Sequence, residues 1–138
     1  MVTSSISIAE ALRNYDNITV IVTGGEMSRN GNFYDAFAIA MLNRLKFDKC
    51  FLTSACITPE FGLSIQKSRN VGIIDAVIRN SKTKIGLYPT EKIGFDSIVS
   101  ICPANKLDYL ITDWDASEED LKGFDEQGIE VIVADEVK

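Results

Sequence analysis

The run Ile18-Thr-Val-Ile-Val-Thr23 narrows the possible folds more than any other stretch of the chain. Its β-branched residues favour extended backbone, and apolar side chains fall on both faces. The strand it predicts belongs in a sheet covered on two sides, as in parallel α/β structures. The run stops at Gly24-Gly25, where the missing Cβ lets the backbone turn sharply. A glycine pair there either approaches a ligand or only turns the chain.

The neighbouring segments extend the pattern. Val2 to Arg13 change character at Ser5, from a short extended piece to Ile8, Ala9 and Leu12 at helical spacing. Asp16-Asn17 is turn material, and Gly24 to Phe33 read as loop. Phe37, Ala40, Met41 and Leu45 then recur as the core stripe of a helix. Cys50 to Thr53 predict a third strand, followed by a loop holding Pro59 and Gly62. Ile74, Val77 and Ile78 mark another helix, with Gly72 as its weak point. Thr83 to Tyr88 form a strand ended by Pro89, and Ser97 to Cys102 and Asp108 to Thr112 are two more. Ser117-Glu-Glu-Asp120 resembles a capping box opening a helix that ends at Gly128, and Ile129 to Val133 close the series as a strand.

Strands alternating with helices predict an α/β fold, Rossmann-like, with a mostly parallel sheet and helices on both faces. The 138 residues suit one domain, residues 1–138. A two-residue strand beside Met1 is an abrupt opening for such a domain, so residues upstream of Met1 are expected to be missing from a longer protein.

Composition excludes several functions. A net charge of -6 leaves no phosphate-neutralising surface of the kind nucleic acid needs, so this chain alone is not expected to bind DNA. No apolar run approaches the ~20 residues of a membrane-spanning helix, and the N-terminus lacks a signal-peptide pattern, which predicts a cytoplasmic protein without membrane contact. Cys50, Cys56 and Cys102 are scattered and the chain has no histidine, so neither a zinc site nor a His-activated thiol is expected. Cys50 and Cys102 read as core residues. No cofactor motif is present.

In open parallel α/β sheets, ligands meet the loops beyond the carboxyl ends of the strands. Those places hold Thr3, Ser4 and Ser5; Thr23, Gly24 and Gly25; Thr53, Ser54 and Ala55; and Pro89 to Lys92. Hydroxyls and small side chains suit a polar pocket, but they are also ordinary at strand-to-helix junctions, where Ser5 or Ser7 can cap a helix. The glycine pair is neither a dinucleotide fingerprint nor a P-loop, because Thr-Gly-Gly-Glu-Met-Ser-Arg-Asn-Gly-Asn has neither spacing. Asn30-Gly31-Asn32 make the loop a candidate flap whose Arg29 could reach an anion, against the plainer reading of a solvated Arg. Lys92, just before Gly94, could meet a phosphate as a point charge or simply be solvated. Asp113 and Asp115 flank Trp114 in what reads as a surface turn rather than a catalytic pair.

Taken in order, Thr-Ser-Ser-Ile-x-Ile-Ala-x-x-Leu, Ile-Thr-Val-Ile-Val-Thr-Gly-Gly, Phe-Asp-Lys-x-Phe-Leu, Pro-Glu-x-Gly-Leu-Ser, Glu-Lys-Ile-Gly, and Asp-Tyr-Leu-Ile-Thr-Asp followed by Gly-Ile-Glu-Val-Ile-Val form a series. From Val2 to Val133 it resembles the C-terminal sensor domain of the DeoR family of bacterial sugar-metabolism repressors. The resemblance implies a fold similar to ribose-5-phosphate isomerases and coenzyme A transferases. It also implies an effector that is a phosphorylated sugar or related metabolite, a homo-oligomer (dimer or tetramer), and DNA contact only through a helix-turn-helix absent from this chain. The sensor's first strand and its phosphate loop would likewise lie upstream of Met1.

By position, Thr3, Ser4 and Ser5 match the family's Thr-Asn-Ser loop with Asn replaced by Ser. Thr23, Gly24 and Gly25 match its Thr-Gly-Gly, and Lys92 with Gly94 matches its Ser-Lys-Phe-Gly. The chain departs from the pattern at Tyr34-Asp35, at Thr53-Ser54-Ala55-Cys56, at Tyr88-Pro89-Thr90 and at Ser68-Arg69-Asn70. An unusual ligand and a degraded site both fit these departures. The expected role is therefore a ligand sensor without enzymatic activity, with an isomerase-like enzyme and a bare oligomerisation module as the alternatives.

Overall fold

Short strands and helices alternate along the chain in a computed structural model that describes residues 1–136. The chain divides into two compact units, Met1–Lys46 and the residues from Phe47 onward.

In the first unit, β1 (Val2–Thr3) pairs in parallel with β2 (Ile21–Val22), Val2 opposite Ile21 and Thr3 opposite Val22. The strand expected over Ile18–Thr23 is thus only two residues long. Its partner supplies two positions, and Ile18 N–H turns back to the Tyr15 carbonyl at 3.0 Å instead of joining the ladder. α1 (Ile6–Leu12) starts at Ser5, whose hydroxyl accepts from the Ile8 amide, and it buries no residue; Ile8 is 48% exposed. α2 (Ala36–Leu42) starts at Asp35 and buries Ala38 and Leu42. The expected stripe of Phe37, Ala40, Met41 and Leu45 is therefore out of phase, and Phe37 is 76% exposed. Ala-Phe-Ala-Ile-Ala-Met-Leu has no polar face to set the phase, so the cap sets it instead.

The second unit holds a four-stranded parallel sheet, β3 (Phe47–Leu52), β6 (Ser81–Leu87), β8 (Tyr109–Thr112) and β9 (Glu130–Val133), adjacent in that order. α3 (Val71–Asn80) leads into β6, and α4 (Glu118–Glu126) connects β8 to β9. Ile78 of α3 and Leu121 and Phe124 of α4 share one core with Cys50, Leu52 and Leu110. Burying each such side chain stabilises the unit by roughly 1.5–3 kcal/mol. The register that aligns Leu52, Gly86, Leu110 and Val131 puts Phe51, Leu87 and Ile132 on the opposite face, where they are 63%, 41% and 40% exposed.

The segment read as a loop around Pro59 and Gly62 is a hairpin, β4 (Cys56–Thr58) and β5 (Gly62–Ile65). β7 (Val99–Cys102), expected among the parallel strands, pairs antiparallel with β5 and completes a separate three-stranded sheet. Strands of three or four residues are too short to display a period, which is why Pro and Gly dominated that reading. Among the described residues no helix is long and apolar enough to cross a membrane.

Candidate functional site

Each unit gathers part of the predicted set at the carboxyl ends of its strands. In the first unit, Thr3 and Ser5 meet, the Ser5 amide donating to Thr3 Oγ1 at 3.1 Å. Ser5 Oγ is also the cap of α1, accepting from Ile8 N–H at 3.4 Å, so its hydroxyl has structural work. The Ser4 carbonyl accepts from Phe33 N–H and the Gly31 carbonyl from Ile6 N–H, both at 2.9 Å. These bonds tie the Asn30–Asn32 loop to the start of α1. Ser28 Oγ, which donates to the Asn32 carbonyl at 2.7 Å, closes the tip of the loop. Arg29 is exposed on it.

Thr23 follows β2 with its hydroxyl buried and without a hydrogen-bond partner among the described residues. Gly24 and Gly25 follow at φ +67° and +108°, the left-handed region that a side chain disfavours. Asp35 reaches this turn from nine residues downstream. Its carboxylate accepts from Glu26 N–H at 2.8 Å and from Ala38 N–H at 3.0 Å. The two amide bonds, the one from Glu26 foremost, hold the Asp35 carboxyl below its ordinary range.

In the second unit, Lys92 Nζ donates to Thr53 Oγ1 at 3.4 Å, joining residues that follow β3 and β6. Lys92 sits on a tight turn, Thr90–Lys92, closed by Lys92 N–H to the Pro89 carbonyl at 2.8 Å. Gly94 N–H pins the end of that segment to the Ile57 carbonyl of β4 at 3.0 Å. Ser54, by contrast, is turned inward. Its buried hydroxyl bonds the Cys56 carbonyl at 2.9 Å and the Tyr88 hydroxyl at 2.7 Å, and burial pushes the Tyr88 phenol up so that it stays neutral. The Ser54 hydroxyl thus ties the segment after β3 to Tyr88.

Asp113 holds the Thr90 turn from the end of β8, accepting from Thr90 N–H at 3.0 Å and from the Thr90 hydroxyl. The hydroxyl first and then the amide lower its carboxyl. The plainer reading of Asp113, as part of a turn, agrees with this geometry. A small apolar depression of about 290 Å³ opens beside it, lined among others by Leu87, Ile111 and Ala134, but Thr53 and Lys92 do not line it. A wider one, about 670 Å³, lies between Gln66, Lys67 and Asp96 to Ile98.

The sequence pointed to neither Asp35 nor Tyr88 as a partner in these clusters; both registered only as departures from a pattern. Cys50 belongs to the core and Cys102 packs against it. Burial pushes the Cys102 thiol up to about 11 and raises that of Cys50, so neither presents a thiolate at neutral pH.

Residues 1–114 match the model of the DeoR C terminal sensor domain. The chain is 26% identical over 137 residues to the HTH-type transcriptional repressor GlcR of Bacillus subtilis, an alignment covering 99% of this chain and 53% of that protein. It is 27% identical over 136 residues to the HTH-type transcriptional regulator GolR of Listeria innocua, covering 98% and 54%. With the uncharacterized HTH-type transcriptional regulator YgbI of Escherichia coli it shares 26% over 135 residues, covering 97% and 52%. The chain spans about half the length of these relatives.

Proposed function

Because the chain belongs to the DeoR C-terminal sensor-domain family, we propose that it is the effector-sensing part of a transcriptional regulator of sugar metabolism, binding a phosphorylated sugar or a related metabolite. The observation that carries this reading is the pairing of Lys92 Nζ with Thr53 Oγ1 at the carboxyl edge of the parallel sheet. An ammonium beside a hydroxyl, on loops held by backbone hydrogen bonds, suits one phosphate or sulfate-like group. The second unit offers Thr53 and Lys92 for the phosphate; within the first unit, Thr3, Ser4, Thr23, Gly24, Gly25 and Arg29 form a candidate cluster of their own. Ser5 and Ser54 contribute structure rather than hydroxyls for binding.

No reaction is needed. Ligand binding shifts the population of oligomeric states or domain arrangements in a cytoplasmic regulator, and a helix-turn-helix outside this chain contacts the DNA. An isologous homo-oligomer is the assembly that matches two-fold operators. The raised cysteine thiols and the absence of histidine from the sequence support a role without catalysis.

Thermal unfolding of the 138-residue chain with a panel of sugar phosphates tests this. A ligand at one hundred times its dissociation constant stabilises the folded form by about 2.7 kcal/mol, a rise in Tm on the order of 10 °C. Lys92→Ala is expected to abolish that rise while changing the stability of the free chain by no more than about 1 kcal/mol, the scale of one hydrogen bond. A flat response across the panel from a chain that self-associates would favour the oligomerisation module instead.

A further inference from the structure

The backbone amide that follows the glycine pair is already engaged. Asp35 takes Glu26 N–H through Oδ2 and Ala38 N–H through Oδ1. A Cβ built on Gly25 would fall 2.9 Å from Asp35 Cγ and closer still to Oδ1, nearer than real Cβ atoms approach anything. The carboxylate therefore lies directly against the Gly25 backbone. Only glycine allows that approach, and Gly25 also has a φ of +108°. Amides after a parallel strand are the groups an anionic ligand would use. Here an anion belonging to the chain itself takes one of them, Glu26 N–H, and a second anion would meet like charge. The Thr23 hydroxyl, on a residue 5% exposed, is buried in the cluster without a hydrogen-bond partner among the described residues.

We propose that Asp35 is a specificity-determining residue: it excludes phosphate from the Thr23–Glu26 turn and offers its carboxylate to the uncharged, hydroxyl-bearing end of the ligand. This rests on the reading that the turn contacts the effector. It divides that ligand class, since an uncharged hydroxyl group is accepted at the turn whereas a phosphate group is rejected there.

Inorganic phosphate, titrated into the full chain at ionic strength matched with chloride, is the probe, and the backbone amide resonances of Gly24, Gly25 and Glu26 are the readout. In the wild type they should not respond. Asp35→Asn keeps a cap acceptor for Ala38 but removes the charge, and in this variant Gly25 and Glu26 should shift saturably. The expected gain in phosphate affinity at the turn is roughly tenfold or more, the scale on which a like charge in the same site perturbs an anion. Asp35→Ser, also a good cap, repeats the test if the Asn variant does not fold.

Saturable shifts in the wild type would overturn the proposal, as would silence in a folded neutral variant. The sensor reading is scored separately, because a sugar-phosphate Tm rise that depends on Lys92 stands or falls without reference to Asp35. If that rise is missing, the phosphate titration still reports whether Asp35 guards the turn.

Discussion

Gly62 shows how much a single residue carries in the second unit. At φ +79° it opens β5, and a Cβ there would come within 2.8 Å of Pro103 Cα and 2.9 Å of Ala104 N, with the Cys102 carbonyl oxygen nearer still. Those atoms are backbone and cannot rotate away. Gly62→Ala therefore adds a steric clash to the cost of left-handed backbone, and it is expected to destabilise the chain by more than about 3 kcal/mol. Chemical denaturation followed by circular dichroism checks this; a loss under 1 kcal/mol would mean that the β5–β7 crossing yields. Gly62 was legible in the sequence as a turn residue, but the reason for it was not, because the obstructing atoms lie forty residues away. Asp35 is similar. In the sequence it is one more acidic residue, and only the fold brings it to Glu26 and Gly25. The position of Lys92 after a strand was legible in the sequence, but its bond to Thr53, thirty-nine residues away, was not.

Elements were legible in proportion to their chemical punctuation. α4 was readable from Ser117-Glu-Glu-Asp120: the Ser117 hydroxyl accepts from Asp120 N–H at 3.2 Å, and three acidic residues occupy the positive end of the helix dipole. Ser117→Ala should cost about 1 kcal/mol and Ser117→Gly only a few tenths, a difference that equilibrium urea denaturation resolves. α2 lacked such contrast. Its seven residues are all apolar, so the buried face had no signature until Asp35 fixed where the helix begins. Of the three-stranded antiparallel sheet only β7 was legible as a strand; β4 and β5 flank Pro59 and Gly62 and read as loop, so the antiparallel partner of β7 could not be seen. The four parallel strands were found because they hold runs of apolar and β-branched residues, such as Tyr109-Leu-Ile-Thr112 and Glu130-Val-Ile-Val133.

At the scale of the whole molecule, one lowered carboxylate in each unit links stability to pH. Asp35 is held down by the Glu26 and Ala38 amides, and Asp113 by the Thr90 hydroxyl and amide. A carboxyl whose folded value lies below its unfolded one contributes stability that is fully present above the unfolded value, near about 4, and is lost as pH falls through the folded value. Thermal melts should therefore hold level from pH 7 to about 5 on account of these two groups and then fall below about pH 4. Asp35→Asn and Asp113→Asn should each flatten that acid limb, and an unchanged limb in both variants would remove these residues from the account.

The parallel sheet has a further consequence. Its strands stand in space in the order in which they occur in the chain, β3, β6, β8, β9. During synthesis each new strand can dock on an edge that has already left the ribosome, and none has to wedge between two earlier ones. The second unit can grow in the direction of translation, with its most recent edge as the template for the next strand.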